Sequence, residues 1–190
     1  METEHRSERI SEAEITEAEP EDAKGIQEVF YRTWMDIYPN EEAGITRDDI
    51  EFRFKDSFTI EGIRKREEQL RGFLSSPTEK FFIARDKDDI IGVCRVEKRP
   101  DENELKAMYV LPEHQGKGVG LKLWSEAEKF FDPEKDTVVH VVTYNTEAIR
   151  FYEKLGFKDT GRRWTDEQFR MKSGSVFPEM EMVKKVGATK

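Results

Sequence analysis

The chain holds one cysteine, Cys94, among 190 residues. A single thiol closes no internal disulfide and builds no cysteine-based zinc site, so a reducing compartment is the expectation. No apolar run approaches the ~20 residues of a membrane-spanning helix. The N-terminus lacks the apolar stretch of a secretory signal. These absences predict a cytoplasmic protein with no membrane partner. There are three histidines, His5, His114 and His140, and no metal-ligand spacing anywhere, so no metal is expected. Positive charge is not in excess either. The net charge is -9, and residues 1–22 carry nine acidic side chains against two basic ones. The other 168 residues carry 32 acidic and 30 basic groups. A body this close to neutral offers no broad phosphate-binding surface, which argues against nucleic acid.

What is present fits one domain with a real core. Residues 1–12 are polar and aperiodic and read as a disordered acidic tail; 13–186 read as the domain and 187–190 as a short C-terminal tail. Glu14–Glu19 alternates and stops at Pro20, as an edge strand does. Ile26, Val29, Phe30, Trp34 and Ile37 recur at helical spacing over Ala23–Tyr38. Thr46 caps a short helix through Phe54. Another helix runs from Thr59 or Ile60 to Ser75. Lys80–Ala84, Ile90–Val96 and Leu105–Val110 are short and β-prone, with Lys87-Asp88-Asp89 as a hairpin turn. Val119–Phe131 reads as a helix. Thr137–Thr143 is apolar on both faces, which predicts a central covered strand with His140 as a core histidine. A helix over Asn145–Leu155 is closed by Gly156. Strands are expected near Phe157–Arg162 and Met180–Val183. The sum is a single α/β domain with a mixed sheet of about six to seven strands flanked by helices.

The informative stretch runs from Tyr109 to Gly120: strand, turn, glycines, helix. Pro112 removes a ladder donor and ends the strand. Gly116, Gly118 and Gly120 have no Cβ, so backbone N–H groups can converge on an anion where a helix dipole adds its positive end. A pyrophosphate is the natural guest. The spacing is Gly-x-Gly-x-Gly, which is not the dinucleotide fingerprint, and Lys117 is followed by glycine rather than the Ser or Thr of a Walker loop. A turn with no ligand is the other reading.

Gln115-Gly116-Lys117-Gly118-Val119-Gly120 resembles the Gln/Arg-x-x-Gly-x-Gly/Ala signature of the GCN5-related N-acetyltransferases, and Val110-x-Pro112 stands at the usual offset before it. Asn145-Thr146-Glu147-Ala148-Ile149-Arg150-Phe151-Tyr152-Glu153-Lys154-Leu155-Gly156-Phe157 looks like the second motif of the same superfamily. The resemblance spans about Ala13 to Lys184. It implies central strands that splay apart to hold acetyl-CoA as co-substrate. Met108, Tyr109 and Val110 would offer backbone groups to the pantetheine arm and thioester, from a strand that usually carries a β-bulge. Gln115, Gly116, Lys117, Gly118, Val119 and Gly120 would cradle the pyrophosphate. Asn145 would meet the pantetheine, and it equally suits a helix cap.

Tyr152 matches the tyrosine that returns a proton to the leaving thiolate, a fitting role for a phenol of pKa about 10. It also suits packing beside Ala148 and Leu155. Glu104 stands where the histone-acetylating branch has its general base; an exposed turn residue is the alternative, and other branches use a water chain. Cys94, Phe151 and Phe157 read as packing, and His114 as an exposed loop residue. On the acceptor side, Trp34 and Tyr38 share a helical face and could grip an ammonium or its alkyl stem; Phe54, Phe58 and Trp164 are further candidates. The resemblance implies direct acetyl transfer in a ternary complex, to a small amine or polyamine first and to a protein lysine or N-terminal amine second. A non-catalytic acyl-CoA-binding module is the reading from another class. Homodimers are common in the superfamily, so a homodimer is among the assemblies implied.

Overall fold

The structure is a computed structural model and describes residues 12–187. The tail expected over 1–12 therefore falls, apart from Glu12, outside the described residues. The order of elements is β1 (Glu14–Glu17), α1 (Ala23–Ile37), α2 (Arg47–Phe54), α3 (Ile60–Ser75), β2 (Glu79–Asp86), β3 (Asp89–Lys98), β4 (Asn103–Val110), α4 (Val119–Phe130), β5 (Thr137–Val142), α5 (Thr146–Lys154), β6 (Lys158–Thr165) and β7 (Pro178–Lys184). The strands form one sheet in the order β1-β2-β3-β4-β5-β7-β6. Only β4 and β5 are parallel neighbours, joined by the crossover through α4; the other pairs are antiparallel. This is the mixed α/β sheet expected, at seven strands.

The alternation of each strand sorts its side chains onto two helical layers. Phe81 and Arg95 face α1 and α3, where Phe81 meets the rings of Phe30 and Phe73. Phe82, Cys94 and Met108 face the other way, toward the layer that holds α4. There Trp124 and Tyr152 both set their rings edge-on to Phe157, which is 2% exposed. Truncating a phenylalanine buried this fully costs about 3–5 kcal/mol.

β5 departs from expectation at one residue. Val138, Val139, Val141 and Val142 are buried, but His140 is exposed. Its ring stands edge-on to Trp164, with centroids 4.8 Å apart, between the carboxylates of Glu104 and Glu181 at 3.7 Å each. The apolar flanks hid this, because β7 and β6 bring charged partners to that face rather than a helix. Cys94 is fully buried, and burial pushes its thiol pKa up, which leaves it an inert packing residue.

Candidate active site

β4 and β5 begin together and then part. Their ladder holds Asn103–Leu105 against Thr137–Val139 and stops there, although β4 continues to Val110 and β5 to Val142. On the other side of β4, Arg95 pairs with Ala107 and Val96 with Leu105, so Lys106 is an extra residue on β4, a β-bulge. Leu111 N donates to Ile91 O on the β3 side. By the alternation of an antiparallel ladder, the N–H groups of Met108 and Val110 then point away from β3, into the gap toward β5. Two backbone donors thus face an opening between central strands.

The glycine loop closes one end of that gap. Gln115 Nε2 donates to Val110 O at 2.9 Å, which ties the loop to the last residue of β4. Gly116 and Gly118 have φ of +70° and +80°, the left-handed region that side chains avoid. Gly118 caps α4, whose first hydrogen bond is Lys122 N to Gly118 O at 3.1 Å. The N–H groups of Val119, Gly120 and Leu121 therefore have no partner within the helix. Gly120 serves differently from its neighbours. A Cβ there would stand 3.2 Å from the Phe151 ring, so this glycine lets α4 close on α5. Lys117 is exposed at the loop tip. Asn145 is the cap of α5, accepting from Ala148 N at 3.1 Å.

Four of the five tyrosines gather at the mouth. Tyr38 and Tyr109 share a hydroxyl hydrogen bond of 2.8 Å, and the Tyr144 hydroxyl donates to Tyr38 O at 2.9 Å. Burial raises the pKa of Tyr152, and the nearby Tyr109 phenol and Cys94 thiol raise it further. Burial likewise raises Tyr38 and Tyr109. All three phenols hold their protons across the neutral range. Trp34 and Tyr38, expected to line the acceptor side, are 9% and 8% exposed and pack on Phe177. Trp34 also stacks edge-on to Phe54 and borders a cleft of about 430 Å³ between α1 and α2, so its outer rim alone is accessible to a guest. Phe58 stands edge-on to Tyr31.

Two carboxylates are candidates for acid–base chemistry. Glu104 is 3% exposed and ion-paired to Arg99 and to Lys106, the latter at 3.2 Å. It pairs with Val138 in the closed part of the ladder, before the gap opens. Glu179 lies at the opposite end. It pairs with Val142, the last residue of β5, and with Trp164 on β6. Burial raises its pKa, the like charge of Asp166 adds to that, and a hydrogen bond with Trp164 works against it. Its charge acts in turn on Tyr109. The sequence reading missed Glu179. The one available signal was a pair of acids, Glu179 and Glu181, alternating with the buried Met180 and Met182.

Comparison with known proteins agrees with this geometry. Residues 30–157 match the model of the acetyltransferase (GNAT) family. A peptidyl-lysine N-acetyltransferase, YjaB of Salmonella typhimurium, is 31% identical over 118 residues, covering 62% of this chain and 72% of YjaB. The crystal structure of PaiA N-acetyltransferase from Thermoplasma acidophilum in complex with coenzyme A superposes with a TM-score of 0.69 at 24% identity, over 90% of this chain and 98% of that one. YncA, a putative acetyltransferase from Salmonella typhimurium solved with acetyl-CoA, gives 0.60 at 20% identity, over 95% and 97%. The splayed β4–β5 pair, the glycine-capped α4 and the family match over two thirds of the chain lead to one conclusion: the chain belongs to the GNAT family of acetyl-CoA-dependent N-acetyltransferases.

Proposed function

We propose that the chain moves the acetyl group of acetyl-CoA directly to a primary amine, with both substrates bound at once. The observation that carries this reading is the ladder that ends at Leu105 and Val139 while both strands continue, with Tyr152 close to the gap. The N–H groups of Met108 and Val110 suit the thioester arm and the oxyanion that develops on its carbonyl. The free amides of Val119, Gly120 and Leu121, with the turn at Gly116 and Gly118, suit the pyrophosphate. Asn145, used as a cap through its Oδ1, keeps its amide group for the pantetheine.

In the transfer, the amine nitrogen bonds to the acetyl carbon and the carbon–sulfur bond breaks. The thiolate takes a proton from the Tyr152 phenol, and the amine gives one up. For that last step Glu179 is supported better than Glu104. Glu179 stands at the open end, partly buried and shifted toward the protonation range a base needs. Glu104 is committed to Arg99 and Lys106.

The test is release of CoA from acetyl-CoA in the presence of small primary amines, with the acetylated product identified by mass. Formation of an N-acetyl amine, with intersecting initial-rate lines when both substrates are varied, supports direct transfer. Parallel lines and an acetylated enzyme would sink it. A second reading, transfer to a peptide lysine, is favoured by the 31% identity to a peptidyl-lysine N-acetyltransferase. Lysine peptides in the same assay decide between the two.

A further inference from the structure

The cleft beside Trp34 holds two guanidinium groups, neither ion-paired to a carboxylate among the described residues. It is walled by Phe30, Trp34, Phe54 and Phe169, and Arg53 and Arg66 reach into it. A second cleft of about 390 Å³ adjoins it and shares Gln27, Ser57 and Arg66, so Arg66 stands at the junction of one longer groove. Among the described residues no carboxylate oxygen lies within 4.0 Å of either guanidinium.

Arg66 is the more exposed of the two to electrostatic penalty. One of its nitrogens donates to Gln27 Oε1 at 3.0 Å, and its Nε is buried without a partner. Its guanidinium carbon lies over the Phe30 ring, 5.3 Å from the centroid. Burial pulls its pKa down to about 10, and the charge that acts on it is the like charge of Arg95. Arg53 stacks over Phe169 and Trp34, at 4.6 and 5.4 Å from the ring centroids. Asp166 acts on it from beyond ion-pair distance. The ring faces offset part of the cost of sinking a cation into such a groove, and the donor left unpaired on Arg66 suits an anion.

Past Trp34 the wall adjoins groups of the opposite sign. Trp34 sets its ring edge-on to Tyr38, whose hydroxyl bonds to that of Tyr109. Glu179 and Asp166 lie on that side and act on each other and, through Glu179, on Tyr109. The cleft meets the transfer centre across Phe30, whose ring stands edge-on to Tyr109 at 5.3 Å, and the charges of Arg53 and Glu179 both act on Tyr109. The cleft's size is that of a small-molecule site.

Building on the proposed amine acetylation, we infer that the acceptor is a small amine carrying an anionic group, a carboxylate or phosphate, which seats at Arg66 and Arg53 while the amine reaches Tyr109 and Glu179. Arg offers the paired donors that suit either anion. The arrangement disfavours a polyamine, whose distal ammonium would meet Arg66.

Matched acceptors test this: 4-aminobutyrate against butylamine, phosphoethanolamine against ethanolamine, with spermidine and a lysine peptide beside them. At least one anionic amine should exceed its neutral match in kcat/KM by tenfold or more. In R66Q that ratio should fall at least tenfold, and R66K should keep the larger part of it; R53Q serves if R66Q does not fold. A ratio near one in the wild type, a ratio that survives R66Q, or preference for spermidine or the lysine peptide overturns the inference while leaving amine acetylation standing. If no acceptor turns over, calorimetry on the CoA-saturated protein decides. Binding of 4-aminobutyrate or phosphoethanolamine that R66Q abolishes supports the subsite, and absence of binding overturns it together with the reading it rests on.

Discussion

Leu105 and Val139 are the last residues that β4 and β5 share across their ladder. One position further, Lys106 bulges out of the pairing with β3, and the phase of β4 changes. The bulge and the parting are one event. An extra residue turns the strand and twists it more strongly, so its free edge leaves β5. Everything assigned to chemistry lies beyond that pair, and that placement sets what each substitution should do.

Tyr152→Phe keeps the ring that packs on Phe157 and Phe151 and removes the proton. If the phenol protonates the leaving thiolate, kcat should fall by about a hundredfold. The KM for acetyl-CoA should move far less. Steady-state kinetics with either substrate varied makes the check, and an unchanged kcat would reduce Tyr152 to a packing residue. Because burial holds its pKa above the ordinary phenol value, kcat should show no loss from Tyr152 ionisation below pH 10.

Two of the loop glycines, Gly118 and Gly120, should separate in a substitution series. At Gly118 the backbone has φ +80° and open space around it, so Gly118→Ala meets only backbone strain, about 1–2 kcal/mol. It also re-aims the amides at the start of α4, so the KM for acetyl-CoA should rise. Gly120 is helical, and alanine there gains propensity of about 1 kcal/mol but presses on the Phe151 ring at 3.2 Å. Gly120→Ala should be close to neutral or mildly destabilised, with stability restored by Phe151→Leu. Thermal midpoints beside acetyl-CoA KM values distinguish strain from lost binding.

Much of this was legible in the sequence, and what was not has a common cause. Periodicity placed the helices and strands to within a few residues, because burying one face fixes a period of 3.6 or 2. The motif around Gln115–Gly120 and the Asn145–Gly156 segment carry the family resemblance in the residues alone. The bulge at Lys106 left no mark, since an extra residue in a strand is a matter of register with β3 rather than of composition. His140 was misread as core for a similar reason. Its neighbours are apolar, but Glu181 and Trp164, which share its face, arrive from strands 41 and 24 residues away in sequence. Glu179 and Arg66 look like ordinary surface charges until the fold shows what surrounds them.

Glu179 and Glu104 make opposite forecasts under pH. Glu179 has a raised pKa, so a base at this position switches on above the ordinary carboxylate range of about 4.3. The rate profile should show an acidic limb there, and Glu179→Gln should abolish it and lower kcat at least tenfold. The folded state disfavours the charged form of Glu179, so its stability penalty grows as pH rises through the shifted value. Gln removes that penalty, and the variant should be no less stable at pH 7. Glu104→Gln breaks the pairs with Arg99 and Lys106 and should lower stability by about 1–3 kcal/mol while keeping the limb. The reverse pattern would return the base role to Glu104.

The wall that carries Trp34, Phe169 and Phe177 hangs on Asp49. This carboxyl is 2% exposed; Oδ2 accepts from Thr46 N at 2.9 Å and Thr46 Oγ1 at 2.8 Å, and Oδ1 from Ser173 N at 2.7 Å. It therefore closes the capping box of α2 and ties that helix to the segment before β7, which carries Phe169 and Phe177. Burial alone would raise its pKa, but these hydrogen bonds outweigh it and hold the value below normal. A depressed folded pKa means stability that is present above the unfolded value, about 3.9, and is lost as pH falls through the folded one. Asp49→Asn cannot accept on both sides and should lose about 1–3 kcal/mol at pH 7. The gap between wild type and variant should shrink as urea titrations move from pH 7 to pH 3. Since the tie sets where Phe169 stands relative to Trp34 and Arg53, the variant should also raise acceptor KM more than acetyl-CoA KM. Equal rises in both would mean that Asp49 holds the fold in general rather than the acceptor wall.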